Sequence, residues 1–225
     1  MDAVKNGISR KELVQLLIWI LVFGSLWGLS EVALGGALKA AAFPYRAGLL
    51  TGIGMGIMGM ALALSRKSLL PVGVGAVAVL VGLLVVPVLH VSAMCKANSS
   101  LALIIEAGSL SLAAGLITRK TGASVYGRMV TGFSAALLAS AAFYFAGVHF
   151  APCAYLLSFT PGSFVVKEGL VWAAFSGILL PIGYAAGERL AASAFPAVNR
   201  RSLYYSGSAI ALCWGISALA IAAGL

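Results

Sequence analysis

Seven unbroken apolar runs, each close to the length of a bilayer crossing, constrain this chain more than any other feature. They are Leu13–Leu34, Ala47–Ser65, Leu69–Leu89, Leu101–Ile117, Met129–Val148, Val166–Gly187 and Leu203–Gly224. The hydrocarbon core of a bilayer asks for about 20 mostly apolar residues in a helix, with a range of roughly 17–25. The runs take up most of the 225 residues and leave no stretch for a separate soluble domain, so residues 1–225 read as a single integral membrane domain. Only 9% of the residues are charged, and the mean hydropathy is +1.04. A soluble domain could not cover its surface with so few charges. The runs are rich in Gly, Ala and Leu and show no alternation of polar and apolar residues. A transmembrane barrel would show that period of two. The expected fold class is all-α, a polytopic transmembrane bundle of about seven helices. The stretch MDAVKNGISRKELVQLL opens like a signal peptide. The apolar run after it is longer than an h-region of about 7–15 residues, so it reads as a retained first span.

The formal net charge is +9. Its carriers stand in short clusters between the runs, where Lys and Arg set membrane orientation. With the N-terminus inside, the inner segments hold Lys5, Arg10, Lys11, Arg66, Lys67, Arg119, Lys120, Arg128, Arg189, Arg200 and Arg201. The outer segments hold Lys39, Arg46, Lys96 and Lys167. Basic residues concentrate on cytoplasmic segments, which predicts N-terminus in, C-terminus out, in the cytoplasmic membrane. The expected surroundings are lipid. No basic helix or RNA-reading motif accompanies the charge, so nucleic acid is not an expected partner.

Small residues are dense in the runs, and in lipid they let helices approach closely. Gly52, Gly54, Gly56 and Gly59 form a string that superficially resembles a nucleotide-binding loop. No strand precedes it and it lies inside a span, so packing is the expected role. A faint repeat relates the third and fourth runs (His90, Cys95, Glu106, Arg119) to the fifth and sixth (His149, Cys153, Glu168, Arg189). Parallel repeats of this kind occur in transporters.

Ionisable groups inside spans are costly and default to a functional reading. Glu31, Glu106 and Glu168 qualify, and all fall in the outer half. They share it with Lys39, Arg46, Lys96 and Lys167, which suggests either pairing across helices or a polar pocket opening outward. The candidate ligand-binding set is Glu31, His90, Lys96, Asn98 and Glu106. Asn98, Ser99 and Ser100 are also expected to cap the fourth helix. Trp27 is placed in the interfacial aromatic belt, with stacking on a planar ligand as the alternative.

The two histidines, His90 and His149, stand at outer span ends, followed by Cys95 and Cys153. Imidazole and thiolate suit zinc or copper, so these four could hold a metal ion. The alternatives are a Cys95–Cys153 disulfide and two unrelated pairs. Cys213 reads as a small apolar residue inside the last span. GxSxG, HExxH and nucleotide-loop motifs are absent, and no catalytic role is expected.

The layout resembles the substrate-binding S components of energy-coupling factor vitamin transporters. These are small, all-helical, Gly/Ala-rich membrane proteins without a soluble domain. Ala33-Leu34-Gly35-Gly36-Ala37 fits their AxxxA pattern, although six helices are typical there and seven runs stand here. The resemblance implies solute binding near the outer face, with a transmembrane coupling protein and ATPase subunits as partners. The expected function is a membrane-embedded solute-binding subunit of a transporter, taking a small molecule or ion. The rivals are a transition-metal permease or sensor built on the His/Cys set, and a membrane thiol-redox protein using Cys95 and Cys153.

Overall fold

The computed structural model describes residues 9–121, 124–192 and 199–224, the side chains of Cys95 and residues 118–121 excepted. Every regular element among them is helical. Seven helices are long and apolar enough to cross a membrane. They are α1 (Arg10–Ala40), α2 (Arg46–Ser65), α3 (Leu70–Leu89), α4 (Ala97–Thr121), α5 (Val125–Phe150), α7 (Pro161–Ala192) and α8 (Arg200–Ala222). The short α6 (Ala154–Leu157) lies between α5 and α7. The protein is a multi-pass helical membrane protein.

Helices α1, α4, α5 and α7 overrun their apolar runs at both ends. Helix α1 continues to Ala40 and α7 begins at Pro161, because long basic side chains such as Lys39 keep their ammonium in the polar zone while the backbone stays helical. Helix α4 starts at Ala97, ahead of Asn98, Ser99 and Ser100. The expected capping role is therefore corrected. Ser92 caps the short turn Ala93–Lys96 before it, and Asn98 is already inside the helix. Lys5 and the side chains of Arg119 and Lys120 lie outside the described residues.

Helix α2 is central: 72% of its most apolar window is buried, against 28% for α1 and α8. Its glycines explain this. Gly48 and Gly52 lie against Val171 and Phe175 of α7, and Gly183 of α7 meets the backbone of Gly56 so closely that a β-carbon there would fall on the Gly56 carbonyl. In lipid such close approach, not burial from water, drives helices together. The glycine string in α2 is thus a helix-packing surface. Trp27 is fully buried in the core, in space left by Gly54 of α2 and Gly75 of α3. This corrects the expected belt position: a ring so enclosed reaches neither headgroups nor ligand. Helix α8 is fastened to α1 by a hydrogen bond from Trp214 Nε1 to Ser25 Oγ (2.9 Å).

Two spans contain a π-helical turn, at Ser30–Leu34 in α1 and Val165–Gly169 in α7. The first holds Glu31 and the second holds Glu168. Such turns insert one residue into the helical register and recur at functional sites. Here Ser30 Oγ donates to the Trp27 carbonyl (2.7 Å) just ahead of the turn.

The ends of α5 and α7 that carry Arg128 and Glu188 are joined by a bidentate pair, Arg128 Nη2 to Glu188 Oε1 at 2.7 Å and Nη1 to Oε2 at 3.1 Å. The guanidinium also lies 4.0 Å from the Tyr184 ring centre. Arg128 is buried while the Glu188 side chain is half exposed. Glu188→Gln leaves Arg128 without its counter-charge and should cost about 1–3 kcal/mol, discounted from a fully buried pair for Glu188's hydration. Thermal unfolding in detergent should show a lowered Tm; an unchanged Tm would remove the pair from the list of stabilising contacts.

Candidate functional site

At the opposite end of the bundle the helix ends part around a cavity of about 620 Å³. Its size lies within the range of roughly 300–1,000 Å³ typical of small-molecule sites. Five spans supply its walls. Helix α1 brings Glu31 and Lys39, α2 brings Arg46 and Thr51, α4 brings Asn98 and Glu106, α5 brings Phe143, and α7 brings Phe164 and Trp172. Lys96 enters from the turn before α4, and Cys153 and Tyr155 from the connection after α5.

The carboxyl group of Glu106 is the most buried ionisable group on the cavity. The residue is 4% exposed, and its Oε1 accepts a hydrogen bond from Thr51 Oγ1 at 3.0 Å. Its Oε2 is buried with no partner. Glu31 stands within electrostatic reach of it, placed by the π turn in α1. Arg46 and Lys96 lie within reach of Glu31. The Trp27 indole Nε1 also approaches Glu31, without the geometry of a hydrogen bond. Two further lining residues each hold a buried polar atom without a partner, Asn98 Oδ1 and Trp172 Nε1.

Ion pairing does not use up these charges. The ion pairs among the described residues are Glu12–Lys67 and Arg128–Glu188, both at the far end. Lys39, Arg46, Lys96, Glu31 and Glu106 are in neither. Buried polar groups in proteins are nearly always hydrogen-bonded. Three of the buried unpartnered atoms among the described residues belong to cavity-lining side chains, and the other three, on Trp27, Arg128 and Ser176, do not.

The remaining wall is aromatic. Phe143 and Trp172 lie 5.8 Å apart between ring centres at 33°, and Phe164 meets Trp172 edge-on at 6.3 Å. All three are buried. Tyr155 stands at the rim, its phenol held above the usual tyrosine range by partial burial and by Glu168 beside it. It is therefore a neutral hydrogen-bonding group there.

Of the residues singled out in the sequence, Glu31, Lys96, Asn98 and Glu106 come together on this cavity. His90 does not line it; it caps α3 in the left-handed conformation, φ 53°, and is exposed. His149 is exposed and bonds the Phe145 carbonyl through Nδ1. Cys153 has a free thiol and does line the cavity. The side chain of Cys95 lies outside the described residues, and with it the metal set and the disulfide that need it. Among the described residues, no three His, Cys, Asp or Glu side chains gather to hold a metal ion. Glu168 stands beside Tyr155 and is not among the lining residues.

Thr51, Phe143, Phe164 and Trp172 were not singled out in the sequence. Thr51 had one available signal, as a hydroxyl inside the most glycine-rich span. The three aromatics had none, since nothing in their sequence surroundings tells which side of a helix faces a cavity. No known protein family, curated protein sequence or solved structure matches this chain.

Proposed function

We propose that the chain is a membrane-embedded solute-binding subunit of a transporter, with its site in the cavity bounded by Glu31, Lys96, Asn98 and Glu106. The observation that carries this reading is the unpartnered, buried Glu106 Oε2 on a cavity of about 620 Å³. Leaving a buried acceptor unsatisfied costs about 1–3 kcal/mol, a cost that a bound solute offsets. On the orientation drawn from the basic residues, the cavity opens outward from the cytoplasmic membrane. The resemblance to energy-coupling factor S components belongs to this proposal. A chain without a nucleotide loop cannot itself use ATP, so active uptake would draw on a coupling protein and ATPases.

The test uses Cys153 as a reporter in a Cys95→Ser, Cys213→Ser background. A membrane-impermeant maleimide added to intact cells should modify it. A metabolite-sized extract of cells and medium should slow that modification. Labelling only after permeabilisation would contradict the outward opening, and an unchanged rate with the extract would contradict solute binding. On the same orientation, a reporter fused after Leu225 reads extracytoplasmic and one near Lys120 reads cytoplasmic.

A further inference from the structure

Resting on the solute-site reading, we infer that the occupant is a small organic zwitterion. Its cationic nitrogen lies inward between Glu31 and Glu106, its anionic group outward at Lys39, Arg46 and Lys96, and its apolar body against Phe143, Phe164 and Trp172. Three helices present the same polarity along the bundle axis. On α1, Lys39 follows Glu31 by eight residues, a rise of about 12 Å. Glu106 lies nine residues into α4 from Ala97, a rise of about 14 Å, and Lys96 stands in the turn just before that helix. On α2, Arg46 stands at the helix start and Thr51, which holds Glu106, lies more than a turn deeper. Basic groups therefore ring the mouth and carboxylates lie below them, with no described ion pair joining the two sets.

Other occupants leave part of this wall unused or opposed. A plain anion would satisfy the rim and offer no donor to the buried Glu106 Oε2. A bare metal ion would meet no group of three His, Cys, Asp or Glu ligands among the described residues, and would leave the aromatic wall idle. A neutral solute would leave the buried Glu106 Oε2 without a charged donor and the basic rim without an anion. A protonated amine supplies what Glu106 Oε2 lacks, a charged N–H donor. Trp172 Nε1 supplies a donor for an acceptor on the same molecule.

The probes are 4-(aminomethyl)benzoate and its two halves, benzylamine and 4-methylbenzoate, tested on purified protein in nanodiscs with Cys153 as the sole cysteine. The readout is the concentration that halves the rate of N-ethylmaleimide modification. The zwitterion should protect at a concentration about ten- to a hundredfold lower than either half, the worth of one charged hydrogen bond. Glu106→Gln should erase its advantage over 4-methylbenzoate, and Lys96→Ala its advantage over benzylamine. Equal protection by a single-charge probe, or none by the zwitterion, overturns the zwitterion assignment. If the cell extract still protects Cys153 in that case, the solute-site reading stands and only the ligand class has failed.

Discussion

Gly183→Ala should cost about 3 kcal/mol, the upper end of what overpacking usually costs, and should be the most damaging single-methyl change in the protein. The new β-carbon would land on the Gly56 carbonyl, and neither backbone can move without parting α2 from α7. Gly207→Ala and Gly215→Ala add the same methyl on α8, where nothing lies within 4 Å. They should be neutral or slightly stabilising, because alanine is the better helix former. Thermal unfolding in detergent compares the three variants directly. Equal Tm values would mean that the α2–α7 contact is not the packing centre of the bundle. Since Gly48 of α2 and Val171 of α7 belong to the same contact, and Arg46 and Trp172 are their neighbours on the cavity, Gly183→Ala should also weaken solute binding without touching the site.

Glu106→Gln should do the reverse, leaving the fold intact and removing binding. The new amide can still accept from Thr51, as Oε1 does now. No cation among the described residues is paired with Glu106, so none is stranded. Repulsion toward Glu31 also disappears, and Tm should hold or rise slightly. Affinity for the natural solute should fall about ten- to a hundredfold, through loss of a charged hydrogen bond. A lowered Tm would instead make Glu106 half of a structural pair. A stable variant with unaltered binding would place it outside the site.

These two residues also show how far the sequence could be read. The spans were legible because a run of some twenty apolar residues has one meaning in water and another in lipid, and the chain has too few charges for the first. Gly183 was legible only as one small residue among 27 glycines; which of them a neighbouring backbone touches depends on helix rotation. The carboxylates were legible because an ionisable group inside a span is costly wherever it faces, and Glu31, Glu106 and nearby Lys96 do share the cavity. Their aromatic partners were not, since Trp27 and Trp172 look alike in sequence. The first is sealed between glycines of α2 and α3, and the second lines the cavity and has a buried Nε1 without a partner. Only the capping role of Asn98 was misjudged, for a different reason. Capping preference is judged from the apparent helix start, and α4 begins before the apolar run does, which turns a cap residue into a wall residue.

Native mass spectrometry of the protein released gently from its membrane tests the central claim most directly. The wild-type chain should carry a metabolite-sized adduct, absent from Glu106→Gln protein that unfolds at the same temperature or higher. No adduct on either protein, or the same adduct on both, would contradict a solute site built on Glu106.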